Sequence, residues 1–433
     1  MKKEKTKLKV WEKIFIITNI AIILIIISIY AYRTVRYYKK LNYVESNPNL
    51  LEKITSNITY KGDGLYKKDD NNFYYSGKEV NNYLYYSGRL WRIIGINKTG
   101  IKLITEDNQT LLVWGNNTNF ENSIINNWLN KDIFINTISN KEKLVSASWC
   151  NTGVDINNYN CNNTKEYLVG LITTDEYLKA GGINSYLNNN SYFWTLNTSN
   201  DNKAYYIHSG GGINNDLGNN ESLYSYGVRP VIYLNSNVEI VSGDGTKENP
   251  YIIEENNNVK LNEHNIGEYV KYSNYTFRIL DKNDNSIKLI MDELILDDDE
   301  SKLKITYDNI ENYLNNEFIN KLNKEYLVEI DFNLTEYNKG NNYNYSDIKE
   351  AKKAYVGLPT IGQLFISGYK DAWLNTIQDK TNQLFYKTDN DSIIGDLKSS
   401  KNYLRPIIAV KSDLIISSGN GTKENPYIIE DNL

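Results

Sequence analysis

The apolar residues of the chain fall into short runs separated by polar turns, and this pattern predicts small antiparallel sheets. Residues 83–96 read YLYYSGRLWRIIGI, which predicts a strand, a turn near Ser87-Gly88 and a second strand. A third strand is expected at 101–105, after a turn that ends at Gly100. In residues 120–130 the apolar side chains recur at helical spacing, so we expect a short amphipathic helix there.

A second helix is predicted after residue 172. Thr173 or Thr174 can act as its N-cap, with Glu176 in the first turn and Gly181-Gly182 at its end. Further strands are expected at 193–195, 204–208 and 227–234. The last of these contains Arg229-Pro230, and the proline predicts an edge position or the start of a strand.

The same order of elements recurs further along the chain. The phrase GDGTKENPYII at 243–253 returns as GNGTKENPYII at 419–429, and VRPVI at 228–232 returns as LRPII at 404–408. The strand at 275–280 matches 89–94, and we match Phe385-Tyr386 to Phe193-Trp194. The repeat predicts two tandem modules, module 1 at 60–254 and module 2 at 267–430. A linker is expected at 255–266, with His264 in solvent.

The beginning of the chain has the pattern of a membrane anchor. Residues 1–13 form a basic tail with six lysines, and residues 14–32 carry no charge. A helix of that length spans about 30 Å, the thickness of the hydrocarbon layer of a bilayer. A cleaved signal peptide is the alternative, but 14–32 is longer than its usual apolar segment and ends without a small-residue cleavage site. The pattern predicts a transmembrane signal anchor and a polar stalk at 33–59.

The orientation follows from the basic residues around this segment. More of them precede it than follow it, which predicts an N-terminus inside the cell and modules outside. The net charge of −5 argues against a nucleic-acid partner, which would require a basic face. Two His and two Cys leave little for metal or thiol chemistry, so neither a metal nor a cofactor is expected.

Arginine is rare, yet it recurs at matched positions of the two modules. Lysine outnumbers it by 41 to 7, but Arg92 corresponds to Arg278 and Arg229 to Arg405. A buried guanidinium that bonds a carboxylate or several carbonyls would explain this, because a lysine ammonium cannot reproduce its fork of donors. We interpret these arginines as structural ties between strands, with ligand contact as the alternative.

The large aromatic residues and the two cysteines are also given structural roles. Module 2 places aromatic residues where module 1 has Trp91, Trp128 and Trp194, which is typical of a core rather than of a sugar-stacking surface. Cys150 and Cys161 enclose an Asn-rich loop, and outside a membrane such a pair usually oxidises. We expect a disulfide, with two free thiols or a redox pair as alternatives.

The chain lacks the common catalytic motifs. It contains no GxxxxGK[ST] loop, no GxSxG elbow and no HExxH pair. The acidic run at 297–300 lacks the alternating spacing and the glycine of a calcium loop, so a solvated turn is expected. The residue between the paired glycines changes from Asp244 to Asn420, so these phrases are expected to be tight turns rather than a metal site. We expect no catalytic residue.

Several of these phrases resemble a group of uncharacterised surface proteins of low-GC Gram-positive bacteria. The resemblance is carried by a W-x-I strand, a WLN helix, a G-L-[IL]-[TS]-x-x-E-Y segment, a [YF]-W-T strand, a V-R-P strand and the terminal G-x-G-T-x-x-N-P-Y phrase. In module 1 these are Trp91-Arg92-Ile93, Ser123 with Trp128-Leu129-Asn130, 170–177, 193–195, 228–232 and 243–251. It covers most of residues 80–254 and is degraded in module 2.

A more distant resemblance points to a fold. Gly357-Leu358-Pro359-Thr360 with Gln363-Leu364 is similar to a segment of sulfatase-modifying-factor proteins, which have a C-type-lectin-like fold. The resemblance implies an α+β class: after the transmembrane helix, two mainly antiparallel β modules with short helices and long loops. The reactive cysteines of the formylglycine-generating members have no counterpart in module 2.

These observations lead to one expected function and two alternatives. We expect a membrane-anchored extracellular protein that is not an enzyme and binds or displays, by adhesion to a polysaccharide or a protein. The first alternative is an extracytoplasmic enzyme related to the sulfatase-modifying factors. The second is a structural spacer of the cell envelope.

Overall fold

A computed structural model of the chain describes most of its residues. These are 15, 18–34, 48–115, 119–152, 161, 163–199, 203–217, 226–254, 259–297, 301–336, 348–363, 372–379, 384–389 and 392–429. They divide into two compact units, Met1–Pro48 and Asn49–Leu433. Strands predominate over a few short helices, which agrees with an α+β class built from several β-sheets.

The N-terminal unit contains a helix over residues 18–34 whose large apolar side chains are exposed. The side chains of Asn19 and Ser28 each donate to a backbone carbonyl one turn back, at 2.8 Å. Within the described residues, no helix is both long and apolar enough to cross a membrane. The predicted tail at 1–13 and residues 14, 16 and 17 of the predicted anchor lie outside the described residues.

Module 1 opens with helix α1 (Leu50–Thr55), and its strands are short. They are β1 (Gly64–Asp69), β2 (Asn72–Ser76), β3 (Tyr83–Tyr86), β4 (Arg89–Asn97), β5 (Gly100–Thr105), β6 (Thr110–Leu112), β7 (Ala147–Cys150), β8 (Thr164–Tyr167), β9 (Val169–Gly170), β10 (Phe193–Thr198), β11 (Lys203–Ile207), β12 (Ile213–Leu217), β13 (Tyr226–Val228), β14 (Val231–Leu234) and β15 (Tyr251–Ile252). Sheet 1 has the order β1-β2-β4-β5-β14-β9, and β3 pairs with both β4 and β15. Sheet 2 has the order β12-β11-β10-β13-β6, and β7 and β8 form a separate hairpin.

The helices of module 1 lie between these strands. A 3-10 turn (Phe120–Asn122), helix α2 (Ile124–Asn127), a π-helical turn (Trp128–Asp132) and a further 3-10 turn (Phe134–Thr137) follow β6. Helix α3 (Thr174–Lys179) follows β9, and Thr173 is its N-cap in a capping box with Glu176. Both predicted helices are therefore confirmed, the first as a chain of short turns.

Module 2 repeats the elements of module 1 from β3 onward in the same order, while α1, β1 and β2 have no equivalent among its described residues. Its strands are β16 (Tyr269–Tyr272), β17 (Tyr275–Lys282), β18 (Ser286–Met291), β19 (Ile305–Thr306), β20 (Ile330–Glu336), β21 (Ile348–Ala354), β22 (Val356–Gly357), β23 (Ala372–Asp379), β24 (Leu384–Asp389), β25 (Ser392–Leu397), β26 (Lys401–Asn402), β27 (Ile407–Lys411), β28 (Ile416–Ser418) and β29 (Tyr427–Ile429). Helix α4 (Ile310–Asn312) and a π-helical turn (Tyr313–Glu317) follow β19, and a 3-10 turn (Ile361–Gln363) occupies the place of α3. Sheet 3 has the order β22-β27-β18-β17-β16-β29-β28.

The two modules differ in how one hairpin is attached. In module 2 the hairpin β20–β21 belongs to sheet 4, which has the order β21-β20-β23-β24-β25, because β20 pairs in parallel with β23. The equivalent hairpin of module 1, β7–β8, pairs with neither sheet within the described residues, and β13 and β6 complete sheet 2 instead. In module 2 the equivalents of those two strands, β26 and β19, pair only with each other in the part of the chain that the structure describes.

The module boundaries differ from the predicted ones on both sides. Residues from Asn49 onward, assigned above to the stalk, belong to module 1, because Leu50 and Ile54 are buried in its core. The predicted linker is also partly folded: Leu261 is fully buried and its backbone N–H donates to Leu414 O at 2.8 Å. The expectation that His264 is solvated is wrong, since its side chain is buried against the ring of Tyr427.

The two modules pack directly against each other. The Tyr85 hydroxyl donates to the carbonyl oxygen of Gly421 at 2.7 Å across the boundary. Leu280, Ile290 and Ile407, all from sheet 3, belong to the same buried apolar cluster as the core of module 1. Module 2 is therefore held against module 1 by buried contacts and not by the linker alone.

Candidate functional site

Equivalent hydrogen bonds relate the modules residue by residue. The side chain of Asn130, in the WLN phrase, donates to Val169 O at 2.8 Å and accepts from Val169 N at 3.1 Å. Asn315 makes the same pair of bonds with Val356, at 2.9 and 3.2 Å. The amide thus closes the free edge of a two-residue strand in each module, which gives this Asn a structural role.

The indole hydrogen bonds of the two modules show which tryptophans are equivalent. The indole N–H of Trp194 donates to Leu112 O at 2.7 Å, and that of Trp373 donates to Ile305 O at 3.0 Å. Since β6 and β19 are equivalent strands, Trp373 is the counterpart of Trp194. The match of Trp194 to Tyr386 is wrong, because Tyr386 lies on the following strand, β24. Trp91, Trp128 and Trp194 are all buried.

Of the predicted arginines, Arg92, Arg229 and Arg405 are buried and Arg278 is partly buried. Arg92 donates to Asn82 Oδ1 at 2.6 Å and lies 3.3 Å from Glu106 Oε2, and Arg278 donates to Gly267 O at 3.0 Å. Arg229 and Arg405 are almost fully buried and donate to backbone carbonyls. For Arg229 and Arg405, burial lowers the pKa to about 10, so both remain charged at neutral pH.

A further buried arginine was missed by the sequence analysis. Arg89 donates to Gln109 Oε1 at 3.0 Å and to Thr137 Oγ1 at 2.6 Å, and its guanidinium lies over the ring of Phe134. Burial, and secondarily the charge of Arg278, lowers its pKa to about 9. In module 2 the equivalent position is Tyr275, whose ring packs on Phe318. The scarcity of arginine was the signal that could have identified it.

The terminal GxGT phrases form the same closed turn in both modules. Asp244 Oδ1 accepts from the Thr246 hydroxyl at 2.7 Å, and Asn420 Oδ1 accepts from the Thr422 hydroxyl at 2.8 Å. An Asp and an Asn serve equally well because only one acceptor oxygen is used. The geometry is that of a turn, and no group of three or more His, Cys, Asp or Glu in the described residues is arranged to hold a metal ion.

The two cysteines form a disulfide that joins the end of β7 to the residues before β8, with Cα atoms 5.7 Å apart. The bond closes a loop with a sequence separation of 11. The expected disulfide is therefore present in the structure, and neither sulfur is a free thiol.

Replacing both Cys150 and Cys161 with serine is expected to lower the free energy of unfolding by about 2–3 kcal/mol, because the open loop gains entropy in the unfolded chain. Urea unfolding of the two proteins measures this difference. Reductant should shift the midpoint of the native protein towards that of the variant and leave the variant unchanged. An unaltered midpoint in the variant would contradict the structural role.

Module 2 contains a cavity of about 320 Å³ between sheet 4 and the α4–π-helical segment. Its walls are mostly apolar and include Leu314, Phe332, Leu334, Leu358 and Phe385. A volume of this size falls in the range of small-molecule and side-chain binding pockets. This cavity is the strongest candidate for a functional site among the described residues.

Module 1 is filled at the equivalent place. The hairpins share one register, since Trp149 pairs with Lys165 as Phe332 pairs with Lys352, so Ala354 is the counterpart of Tyr167. The Tyr167 ring packs edge-on against Phe120, with centroids 5.8 Å apart. Alanine leaves that volume empty in module 2.

Phe120 itself has no counterpart in module 2. Trp114 and Tyr307 are equivalent, because each packs edge-on against the matched tryptophan of its module. Ile310 is the equivalent of Ile125. Eleven positions separate Trp114 from Ile125 in module 1, but only three separate Tyr307 from Ile310 in module 2. The shorter connection omits the residues that carry Phe120. The cavity thus arises from two changes in one repeated frame, a shortened loop and a smaller side chain.

The polar groups that line the inner part of the cavity bond within the protein. The Tyr307 hydroxyl donates to Asn375 Oδ1 at 2.8 Å, and Asn375 Nδ2 donates to Asn333 O at 2.9 Å. Asn315 is engaged with Val356, as described above. Burial raises the pKa of Tyr307, so its hydroxyl stays protonated at neutral pH. The interior of the cavity therefore favours an apolar group.

The rim of the cavity is acidic. Three carboxylates, those of Asp308, Glu311 and Glu350, line it together with a single lysine, Lys352. Lys352 pairs with Glu311, and Lys398 lies 2.9 Å from Asp308. Glu350 forms no ion pair with any described residue, so the rim retains negative charge that a cationic ligand group could meet.

The described histidines are both engaged in local contacts. The Nε2 atom of His208 lies 2.8 Å from the Tyr192 hydroxyl, and its Nδ1 accepts from Gly210 N at 2.9 Å. His264 Nδ1 lies 3.6 Å from Glu268 Oε2. Neither histidine lines the cavity.

Comparisons of the chain with protein-family models, with curated proteins and with solved structures found no match.

Proposed function

We propose that this chain is a membrane-anchored, extracellular binding protein without catalytic activity, and that the cavity of module 2 is its ligand site. One observation carries the proposal. The same frame occurs twice, and the place that Phe120 and Tyr167 fill in module 1 is an open apolar cavity at Ala354 in module 2. A duplicated module in which one copy is filled and the other is open is the arrangement expected of a scaffold joined to a binding unit.

The N-terminal residues support the anchored location. Residues 14–32 carry no charge, and the side chains of Asn19 and Ser28 bond to carbonyls of their own helix. Polar side chains that bond to their own backbone carbonyls are less costly in a hydrocarbon layer. On the order of the elements we also propose a C-type-lectin-like fold for each module, in keeping with the resemblance noted above.

The chemistry of the site supports binding over catalysis. A disulfide removes the two cysteines from thiol chemistry, and the polar side chains inside the cavity are bonded to the protein itself. These features weigh against an enzyme related to the sulfatase-modifying factors.

A ligand screen with a matched pair of variants tests the proposal. The full-length chain in detergent micelles is screened against glycans, cell-wall fractions and peptide pools. Ala354→Tyr restores the residue of module 1 and should weaken the binding of a true ligand about tenfold or more by filling the cavity. Ala351→Tyr is the control, because Ala351 lies exposed on the same strand and does not line the cavity.

We therefore expect Ala354→Tyr to bind the ligand more weakly than Ala351→Tyr, while both variants remain folded. Equal binding by Ala354→Tyr and by the native protein would place the ligand elsewhere. A folded protein that binds nothing in the panel would overturn the proposal and favour the spacer alternative.

A further inference from the structure

The cavity lies beneath an edge strand. Strand β21 stands at the end of sheet 4, and among the described residues it pairs only with β20. Its residues 348–353 are all exposed. An edge strand presents a row of backbone N–H and C=O groups that a further strand can pair with.

The side chains of β21 alternate between the cavity and the opposite face. Glu350, Lys352 and Ala354 line the cavity, and so do Phe332 and Leu334 of the neighbouring strand β20. A strand that pairs with the outer edge of β21 would extend the side of sheet 4 that lines the cavity. Every second side chain of the added strand would then project towards the cavity. The geometry thus offers main-chain pairing and a side-chain pocket side by side.

The lining of the site selects among ligand classes. Asn315 and Asn375 use both of their side-chain polar atoms within the protein, so the interior offers few groups to a sugar's hydroxyls. The rim carries the carboxylate of Glu350 without an ion-pair partner among the described residues. Lys349 and Lys353 lie on the opposite face of β21, so a cationic ligand group has to share the cavity face with Glu350. An apolar side chain with a cationic one two positions away, on the same face, matches this combination of interior and rim.

We propose that module 2 binds an extended, basic segment of a partner protein, which adds to β21 as a further strand and places an apolar side chain in the cavity. This inference rests on the proposed function, because it assumes that the cavity is the ligand site. It adds the class of ligand, a polypeptide, and the mode of recognition.

The probe is a set of synthetic ten-residue peptides in which Phe, Leu, Val or Tyr alternates with lysine at every second position and serine fills the positions between them. The apolar and cationic side chains then share one face of the added strand. Binding to the full-length chain is measured by fluorescence anisotropy. We expect saturable binding that Ala354→Tyr weakens about tenfold. Leu178→Tyr, at an exposed position of module 1 far from β21 in the sequence, is the control and should leave binding unchanged. Glu350→Gln should weaken it about threefold, and added salt should reduce this difference, since the contact is exposed.

Peptide N-methylation tests strand addition separately. Two forms of the best peptide are methylated at alternate backbone nitrogens, one form at odd positions and the other at even positions. In a strand only every second N–H faces the neighbour, so one form should lose binding about tenfold or more and the other should retain it. Similar affinities for both forms would show that the peptide does not add as a strand.

The outcomes distinguish this inference from the function on which it rests. If a glycan binds in a manner sensitive to Ala354→Tyr and no peptide does, the cavity remains the ligand site and the inference is wrong. A concentration-dependent dimer that Ala354→Tyr abolishes would make a second copy the occupant, and the inference would also fail. If nothing binds, the exposed Lys349, Lys352 and Lys353 of β21 only prevent association between sheet edges, and both proposals fall.

Discussion

Replacing Arg229 with methionine is expected to lower the free energy of unfolding by about 3–5 kcal/mol, one of the largest effects of any single substitution in this chain. The guanidinium is fully buried, donates to Thr105 O at 3.0 Å and to Leu187 O at 2.6 Å, and lies over the ring of Phe193. Both acceptors are backbone carbonyls, which no side-chain substitution removes. Methionine would therefore leave two buried acceptors without donors. Urea unfolding followed by circular dichroism measures the loss.

Two further variants separate bond geometry from charge. Arg229→Lys keeps the charge, but one ammonium cannot reproduce the fork, so we expect it to recover less than half of the lost stability. Arg278→Met serves as the comparison, since Arg278 is only partly buried and about 1 kcal/mol is expected. Equal unfolding midpoints for Arg229→Met and Arg278→Met would contradict the structural role of Arg229.

Features that depend on neighbouring residues in sequence were predictable. The Ser87-Gly88 turn is an example: both residues have positive φ, 52° and 69°, as a two-residue type I′ hairpin turn requires. Ser273 and Asn274 repeat it with φ of 48° and 66°. The capping box at Thr173 likewise follows from residues three positions apart. Local chemistry fixes such features, so the sequence pattern was sufficient.

Features that depend on volume and sheet membership were not predictable. The cavity requires Ala354 to be recognised as the equivalent of Tyr167, and that match is visible only from the shared register of two hairpins. For the same reason Trp194 was matched to Tyr386. The aromatic pair Phe385-Tyr386 on β24 has a sequence similar to Phe193-Trp194, although the true counterpart of Trp194 is Trp373 on the preceding strand. Position across strands, and not composition, distinguishes Trp373 from Tyr386.

The predicted boundaries of the two modules were wrong for a related reason. Polar composition around 49–59 and 259–266 indicated a stalk and a linker, yet Leu50, Ile54 and Leu261 are buried. A few apolar residues in a polar segment are enough to attach it to a core when the partner surface is available. That surface is formed by residues far away in the sequence, such as Val238, whose carbonyl accepts from Leu50 N at 2.8 Å.

The second large effect is expected at the first glycine of the terminal turn. Gly243 has φ of +93°, and a Cβ there would overlap the carbonyl oxygen of Pro250. Gly419 repeats both features with φ of +99° and the carbonyl of Pro426. Gly243→Ala and Gly419→Ala should each destabilise the protein by about 3 kcal/mol or more, because left-handed strain adds to a clash with backbone that cannot move away easily.

Two other glycines separate these contributions. Gly62 has φ of +80° but nothing within 4 Å of the added Cβ, so Gly62→Ala should cost about 1 kcal/mol from the backbone conformation alone. Gly212 has neither feature, and Gly212→Ala should change stability by no more than about 0.5 kcal/mol. Unfolding midpoints in urea give the order directly. If Gly243→Ala were no worse than Gly62→Ala, the close approach to Pro250 would not be what fixes glycine at this position of both modules, and the positive φ alone would account for it.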